Sequence, residues 1–218
     1  QLVVFIVFAM ISNAGWYLTS GVATYYFDVV VGDPNKQSMF STSQAVGSVV
    51  GMLLLPFLTK IMSKRKAYQT SLILCTLGYT GMAIGAFTNM AMVMNICYCV
   101  GAIGMSSMFI AQTIFLADVV DYGEVKMGFR AESITFSMKG FLQKMAYTIQ
   151  AIIMYAAFSV TGYDGQAAVQ NPAAKSAISF LMFIVPPVMM IISLIVFSKK
   201  YKIHGEFKQK VLRAVSEK

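Results

Sequence analysis

Six long apolar runs separated by short polar breaks dominate the pattern of this chain, at residues 2–27, 38–61, 67–87, 90–117, 133–160 and 175–198. Each reaches the roughly 20 residues that a helix needs to cross a 30 Å hydrocarbon core at about 1.5 Å per residue. None alternates polar and apolar positions, and all are about twice the length of a barrel strand, so strands are excluded. The pattern predicts an all-α membrane protein, a six-transmembrane-helix bundle over residues 1–198 with a basic tail over 199–218. Composition agrees. Mean hydropathy is +0.68, and 12% of residues are charged, against about 25% in soluble domains.

Charge adds an orientation. Lys60, Lys64, Arg65 and Lys66 follow the second run, and Lys126 and Arg130 lie between the fourth and fifth. Lys199, Lys200, Lys202, Lys208, Lys210, Arg213 and Lys218 fill the tail, while the opposite side carries only Lys36 and Lys175. That excess of basic residues places the tail and the two basic loops in the cytoplasm. The net charge of +8 is therefore a topology signal. Nucleic acid is not an expected partner, because that would need a basic face on a folded soluble domain. The expected surroundings are a lipid bilayer. Gln1 enters the first run with no basic segment or A-x-A-like site, so this run is not read as a signal peptide. The missing start residue leads us to expect a piece of a longer protein, with a complete six-helix protein as the alternative.

Small residues and prolines describe the packing. Gly47 and Gly51, then Gly81 and Gly85, have G-x-x-x-G spacing, which lets helix backbones approach closely in lipid. Pro56 and the Pro186–Pro187 pair should bend the second and sixth helices, since proline removes a backbone donor and clashes with the preceding turn. Cys75, Cys97 and Cys99 lie within helices and lack paired spacing, so they read as packing residues with no disulfide or metal role. The single histidine, His204, falls in the tail. With no nucleophile–base pair, paired acids or metal cluster at membrane depth, an enzyme is not expected.

Three polar features interrupt the apolar runs. Lys139 and Lys144 stand inside the fifth helix, where a cation at the bilayer centre costs at least about 2.5–3.5 kcal/mol and marks a functional position by default. Counted from Glu132, Lys144 is roughly 18 Å in and Lys139 about 10 Å in. Lys139 is short enough of the centre to snorkel back to the cytoplasmic interface, whereas Lys144, with Gln143 and Tyr147 close by, is assigned to a cavity. In the first helix, Asn13, Tyr17, Ser20 and Thr24 share one face. Beside Trp16 they suit either a sugar, with its hydroxyl edges and C–H faces, or hydrogen bonding between helices. Third, Asp118, Asp121, Glu124, Lys126, Arg130 and Glu132 interleave charges in what reads as a loop between helices four and five. Such a loop could form a charge network that locks one conformation, pairing with one another or with Lys64–Lys66.

That segment, Asp-x-x-Asp-Tyr-Gly-Glu-x-Lys-x-Gly-x-Arg-x-Glu over residues 118–132, resembles the signature of the glycoside–pentoside–hexuronide:cation symporters. These are the melibiose-permease branch of the major facilitator fold, and the resemblance spans the whole chain as a C-terminal half. Val125 departs from the tryptophan common there and removes no charge. The resemblance implies a secondary active transporter that symports a sugar (a glycoside, pentoside or hexuronide) with H⁺ or Na⁺ by alternating access, with no cofactor beyond the coupling ion. It implies a missing N-terminal six-helix half that holds the binding carboxylates, and residence in a bacterial inner membrane. Lys144 then matches the family's intramembrane lysine, and Phe109 and Gln112 match positions facing the sugar cavity. With Tyr17, Asn13, Gln143 and Tyr147 they form the expected substrate site. Lys139 and Gly140 depart from the polar pair of melibiose permease. The alternatives are a carrier of the same fold moving an amphiphile or lysolipid, or a non-functional truncated fragment. An open face lined by helices one, four and five is expected to expose Tyr17, Phe109, Gln112 and Lys144.

Overall fold

The computed structural model describes residues 2–127, 132–167 and 169–200. Arg130 and the tail from residue 201 onward lie outside the described residues, as do the side chains of Lys126 and Glu132. The elements are α1 (Leu2–Tyr25), α2 (Asn35–Ile61), α3 (Lys64–Phe87), α4 (Ala91–Met127), α5 (Glu132–Thr161), α6 (Pro172–Phe183) and α7 (Val185–Lys200), with no strand among the described residues. They make six passes. α1 runs on into a π-helical turn, Tyr26–Val31, which stops at Gly32 with φ of 71°, a left-handed conformation natural to glycine. Ser63 caps α3 by accepting from the Lys66 N–H, and Asn171 caps α6 by accepting from the Ala174 N–H at 2.7 Å, with Pro172 next to it.

Five passes are both long and apolar enough to cross a membrane, α6 and α7 counting together. α5 has the length, 30 residues, but Lys139, Gln143, Lys144 and Gln150 dilute its apolar character. The sixth pass is broken, where a bend was expected. Pro186 and Pro187 have no N–H for the carbonyls of Met182 and Phe183, and the helix divides at Ile184. Pro56 leaves α2 continuous.

One expectation is corrected. Asp118, Asp121 and Glu124 are not in a loop, because α4 continues helical to Met127. The reason lies between the acids. Leu116, Val119 and Val120 are buried and keep the helical period, so the acids, three residues apart, ride on another side of the same helix.

α4 is the central strut, clasped by α2 and α3. A Cβ at Gly47 would strike the Cys99 carbonyl, and one at Gly51 would strike the Ile103 carbonyl and the Ser106 hydroxyl. On the α3 side, Gly78 meets the Gly101 backbone, and Gly104 meets the backbone of Ser71 and Cys75. The Ser107 hydroxyl adds a 2.7 Å bond to the Gly51 carbonyl. The glycine spacing thus does what it predicted: these helices touch backbone to backbone. Cys97 packs against Gly81, as a small apolar residue would.

Aromatic rings join this block to α1 and α7. At the end where α1 begins and α7 finishes, Phe8, Tyr68, Phe115 and Phe197 form one cluster, with Tyr68 and Phe197 centroids 4.5 Å apart. At the other end, Phe40 stacks on Tyr98 at 3.8 Å and meets Phe27, while Tyr26 meets Phe183 edge-on. Each ring pair adds roughly 0.5–1.5 kcal/mol beyond the area it buries.

Candidate functional site

α1, α4 and α5 meet at mid-length around four rings. Tyr17 stacks on Tyr147 with centroids 3.6 Å apart, Trp16 lies edge-on to Phe109 at 4.9 Å, and Trp16 and Tyr17 are 4.9 Å apart. Trp16 and Phe109 border a recess of about 250 Å³ between α1, α2 and α4, with Ser48, Met52, Met105, Ser106 and Ile110 completing its wall. The cluster is amphipathic in the way a sugar needs, with flat ring faces beside hydroxyls.

Beneath the rings lies a buried polar pair. Asn13 Nδ2 donates to Gln112 Oε1 at 3.4 Å, and Gln112 Nε2 donates to Asn13 Oδ1 and to the Ser12 hydroxyl, each at 3.3 Å. Reciprocal amides satisfy both side chains inside the bundle, where an unpaired amide would be costly. The expectation that Gln112 and Tyr17 stand exposed is therefore not met: Gln112 is 3% exposed and Tyr17 is 5% exposed. Of the α1 stripe, Asn13 is hydrogen-bonded between helices, Tyr17 joins the ring stack, and the buried Ser20 hydroxyl has no hydrogen-bond partner among the described residues. Thr24 accepts from Gln37 on α2 at 2.9 Å. Phe109 is half-buried on the recess.

α5 sorts the remaining residues. Leu142, Ala146 and Gln150 form its buried line. Its exposed surface has two strips of different chemistry. Gly140, Lys144, Tyr147, Thr148 and Ala151 make one strip, while Phe141, Met145 and Ile152 make an apolar one. Lys144 thus shares its strip with Tyr147, the ring stacked on the site, and lies away from the apolar side. Its side chain is exposed. Gln143 is half-buried between the buried line and the Lys144 strip.

Lys139 does not snorkel outward. Its ammonium donates to the Thr113 hydroxyl on α4. Tyr17 lies level with Tyr147, so Lys139, eight residues earlier on the parallel α5, lies level with Ala9. Thr113 follows Gln112, which bonds Ser12 and Asn13, so the ammonium is carried about 4 Å inward of its own Cα level. The sequence places a basic residue here but cannot reveal that a hydroxyl on another helix holds it. Trp16 and Thr113 were also outside the expected site. Trp16 beside Tyr17, and Thr113 one turn after Phe109, were the available signals.

Where α2 turns into α3, Lys64 Nζ stands 3.9 Å from Asp118 Oδ1, with Asp118 buried and Lys64 half-exposed. This is one of the ion pairs expected between the acidic segment and the basic turn after α2. Arg65 donates to the Ser198 carbonyl at 2.6 Å, and Gln69 donates to the Ser198 hydroxyl at 2.9 Å, pinning the end of α7 to the start of α3.

A helical bundle of membrane-crossing length, with an aromatic and amide centre and two ammonium groups at mid-depth, defines a multi-pass membrane transporter. A family model described as MFS/sugar transport protein matches residues 1–205, and the chain belongs to that family. Its members are carriers, not enzymes, and membership bears out the resemblance carried by residues 118–132. The chain is 27% identical over 198 residues to a lactose permease of Leuconostoc lactis, covering 88% of this chain and 30% of the relative. It is 24% identical over 190 residues to a raffinose carrier protein of Pediococcus pentosaceus, covering 86% and 29%. A putative sulfoquinovose importer of Escherichia coli K12 is 25% identical over 180 residues, covering 83% and 38%. The chain spans about a third of the length of these relatives.

Proposed function

We propose that this chain forms one wall of a cation-coupled sugar carrier, completed by a second six-helix bundle that faces α1, α4 and α5. The observation that carries the reading is the Trp16–Tyr17–Phe109–Tyr147 cluster beside the recess. Ring faces there can stack on the C–H face of a pyranose, while Ser48 and Ser106 meet its hydroxyl edge. The names of the lactose, raffinose and sulfoquinovose relatives support a sugar or glycoside as substrate. A path for an amphiphile or lysolipid would be apolar along its length, and this centre is not.

In this reading Lys144 meets a carboxylate supplied by the other bundle. H⁺ or Na⁺ competes with the ammonium for that negative charge, and the exchange couples ion to sugar. Rocking of the two bundles then exposes the site to alternate sides, with the Lys64–Asp118 pair stabilising one of the states. The basic loops support a cytoplasmic C-terminus and, for a bacterial carrier, residence in the inner membrane. The test is uptake of labelled glycosides by proteoliposomes containing the full-length protein, with and without a proton or sodium gradient. Gradient-driven accumulation of a sugar is expected. Sugar uptake that never exceeds equilibration under either gradient would contradict symport.

A further inference from the structure

Two lysines stand at the end of the bundle where α6 begins, in different company. Lys36, in the first turn of α2, lies 3.8 Å from Asp33. Lys175, four residues into α6, is half-buried, and its ammonium has no ion pair or hydrogen bond to another described residue. It borders a recess of about 450 Å³ between the start of α6, the end of α3 and the π-helical turn. Ser176 and Ser179 flank the lysine there, and Phe87, Phe180 and Ile184 form apolar walls. The Ser179 hydroxyl is turned to the Lys175 carbonyl at 3.0 Å, while Ser176 stands exposed. No carboxylate lines the recess.

The recess is polar at one end and apolar at the other. Phe180 and Ile184 lie about 8 and 14 Å further along the pass than Lys175. The apolar surface then continues: Phe180, Ile184, Val188, Ile191 and Ile195 recur every three or four residues and are all exposed, which makes one stripe down the sixth pass. Acyl chains cover such a stripe in a chain whose helices cross a bilayer. An amphiphile lying along it brings its polar end to Lys175. That ammonium sits near the first turn of α6, where the backbone N–H groups add partial positive charge. The missing partner is therefore an anion carried on a hydrocarbon tail. A sugar does not match this surface, and no residue of α5 or of the ring cluster takes part in it.

We propose that this recess binds one anionic phospholipid, with its phosphate on Lys175 and Ser176 and an acyl chain along Phe180, Ile184 and Val188. A headgroup of net negative charge is preferred to a zwitterionic one, because the walls offer a cation and no carboxylate to receive a headgroup ammonium. Ile184 is where the sixth pass divides, so the bound chain splints α6 to α7. In the orientation proposed above, the lipid belongs to the outer leaflet. The inference rests on the membrane-spanning fold and is independent of the substrate.

The test places the full-length protein in phosphatidylcholine nanodiscs doped with photoactivatable phosphatidylglycerol or, separately, with its phosphatidylcholine counterpart. Adducts are mapped by peptide mass. Within residues 172–188 the phosphatidylglycerol adducts should exceed the phosphatidylcholine adducts on the order of fivefold, the effect of one lysine on an anionic lipid. Lys175→Gln should remove that preference and Lys175→Arg should keep it. Lys36→Gln, which removes a lysine already paired with Asp33, should leave it unchanged. Equal adduct yields from the two lipids in the wild type, or a preference that survives Lys175→Gln, would overturn the proposal. Displacement of the adducts by excess soluble glycerol 3-phosphate would also overturn it, by assigning Lys175 to a free phosphate ester. Sugar uptake is not part of the readout, so failure here leaves the carrier reading standing.

Discussion

Gly51 and Gly140 occupy helices of one bundle under opposite constraints. On α2 a Cβ at Gly51 would collide with the Ile103 carbonyl, whereas on α5 a Cβ at Gly140 would meet nothing within 4 Å. The contrast extends to their surroundings. The α2–α3–α4 block is closed backbone to backbone by Gly47, Gly51, Gly78 and Gly104. α5 is held along the line Leu142–Ala146–Gln150 and by the Tyr17–Tyr147 stack, and presents a polar strip to open space. Lipid supplies no hydrophobic force between helices, so the tightly packed block must be held by close approach and dispersion. A helix with an exposed polar strip instead needs water, substrate or another protein wall beside it. The bundle therefore divides into a scaffold and a working edge.

The contrast breaks first at its strongest point. Gly51→Val should cost about 1–3 kcal/mol or more, because the carbonyl it meets belongs to a helix that cannot yield locally. Little monodisperse protein should survive solubilisation. Gly140→Ala should raise stability by up to about 1 kcal/mol through helix propensity alone. Thermal unfolding of the two variants in the same detergent decides this, and similar losses would erase the distinction between block and edge.

Function should respond in the reverse order. Lys144→Ala in the full-length carrier should leave yield and unfolding temperature close to wild type. Uphill sugar accumulation should fall on the order of tenfold or more, the range of typical coupling energies. Normal ion-driven accumulation would make Lys144 a structural residue. Tyr147→Ala should lose the stack on Tyr17 and about 0.5–1.5 kcal/mol of stability, with Tyr147→Phe restoring it. Equal unfolding temperatures for the two variants would show that the stack contributes nothing. The smallest effect belongs to Asp118→Asn. Its partner Lys64 is half-exposed, so the pair is worth only about 0–1 kcal/mol in stability. Transport turnover should drop more than sugar affinity, and unchanged turnover would deny the pair a role in choosing between states.

The scaffold was more legible in the sequence than the edge. Apolar run length gives all six passes, glycine spacing gives the α2–α4 seam, and Pro186–Pro187 marks the division of the last pass. These are local properties. The end of α4 was misread because its acids dominate the composition of residues 118–124, while the helical period survives in Leu116, Val119 and Val120. The site was legible as residue types only. Asn13 and Gln112 were found as candidates, but their mutual pairing joins positions 99 apart. Lys139 was read from its own depth, and a lysine's reach depends on which acceptor another helix offers, here Thr113.

In the proposed carrier, the Lys144 strip of α5 lines an aqueous sugar path while the Ile152 strip faces lipid. In the full-length carrier with Cys75, Cys97 and Cys99 replaced by alanine, Lys144→Cys and Ile152→Cys can each be exposed to a charged, membrane-impermeant thiol reagent. Cysteine at 144 should label readily and be slowed by a transported sugar, while cysteine at 152 should stay unlabelled. Labelling at 152 but not at 144, or labelling at 144 that no transported sugar slows, would contradict the account.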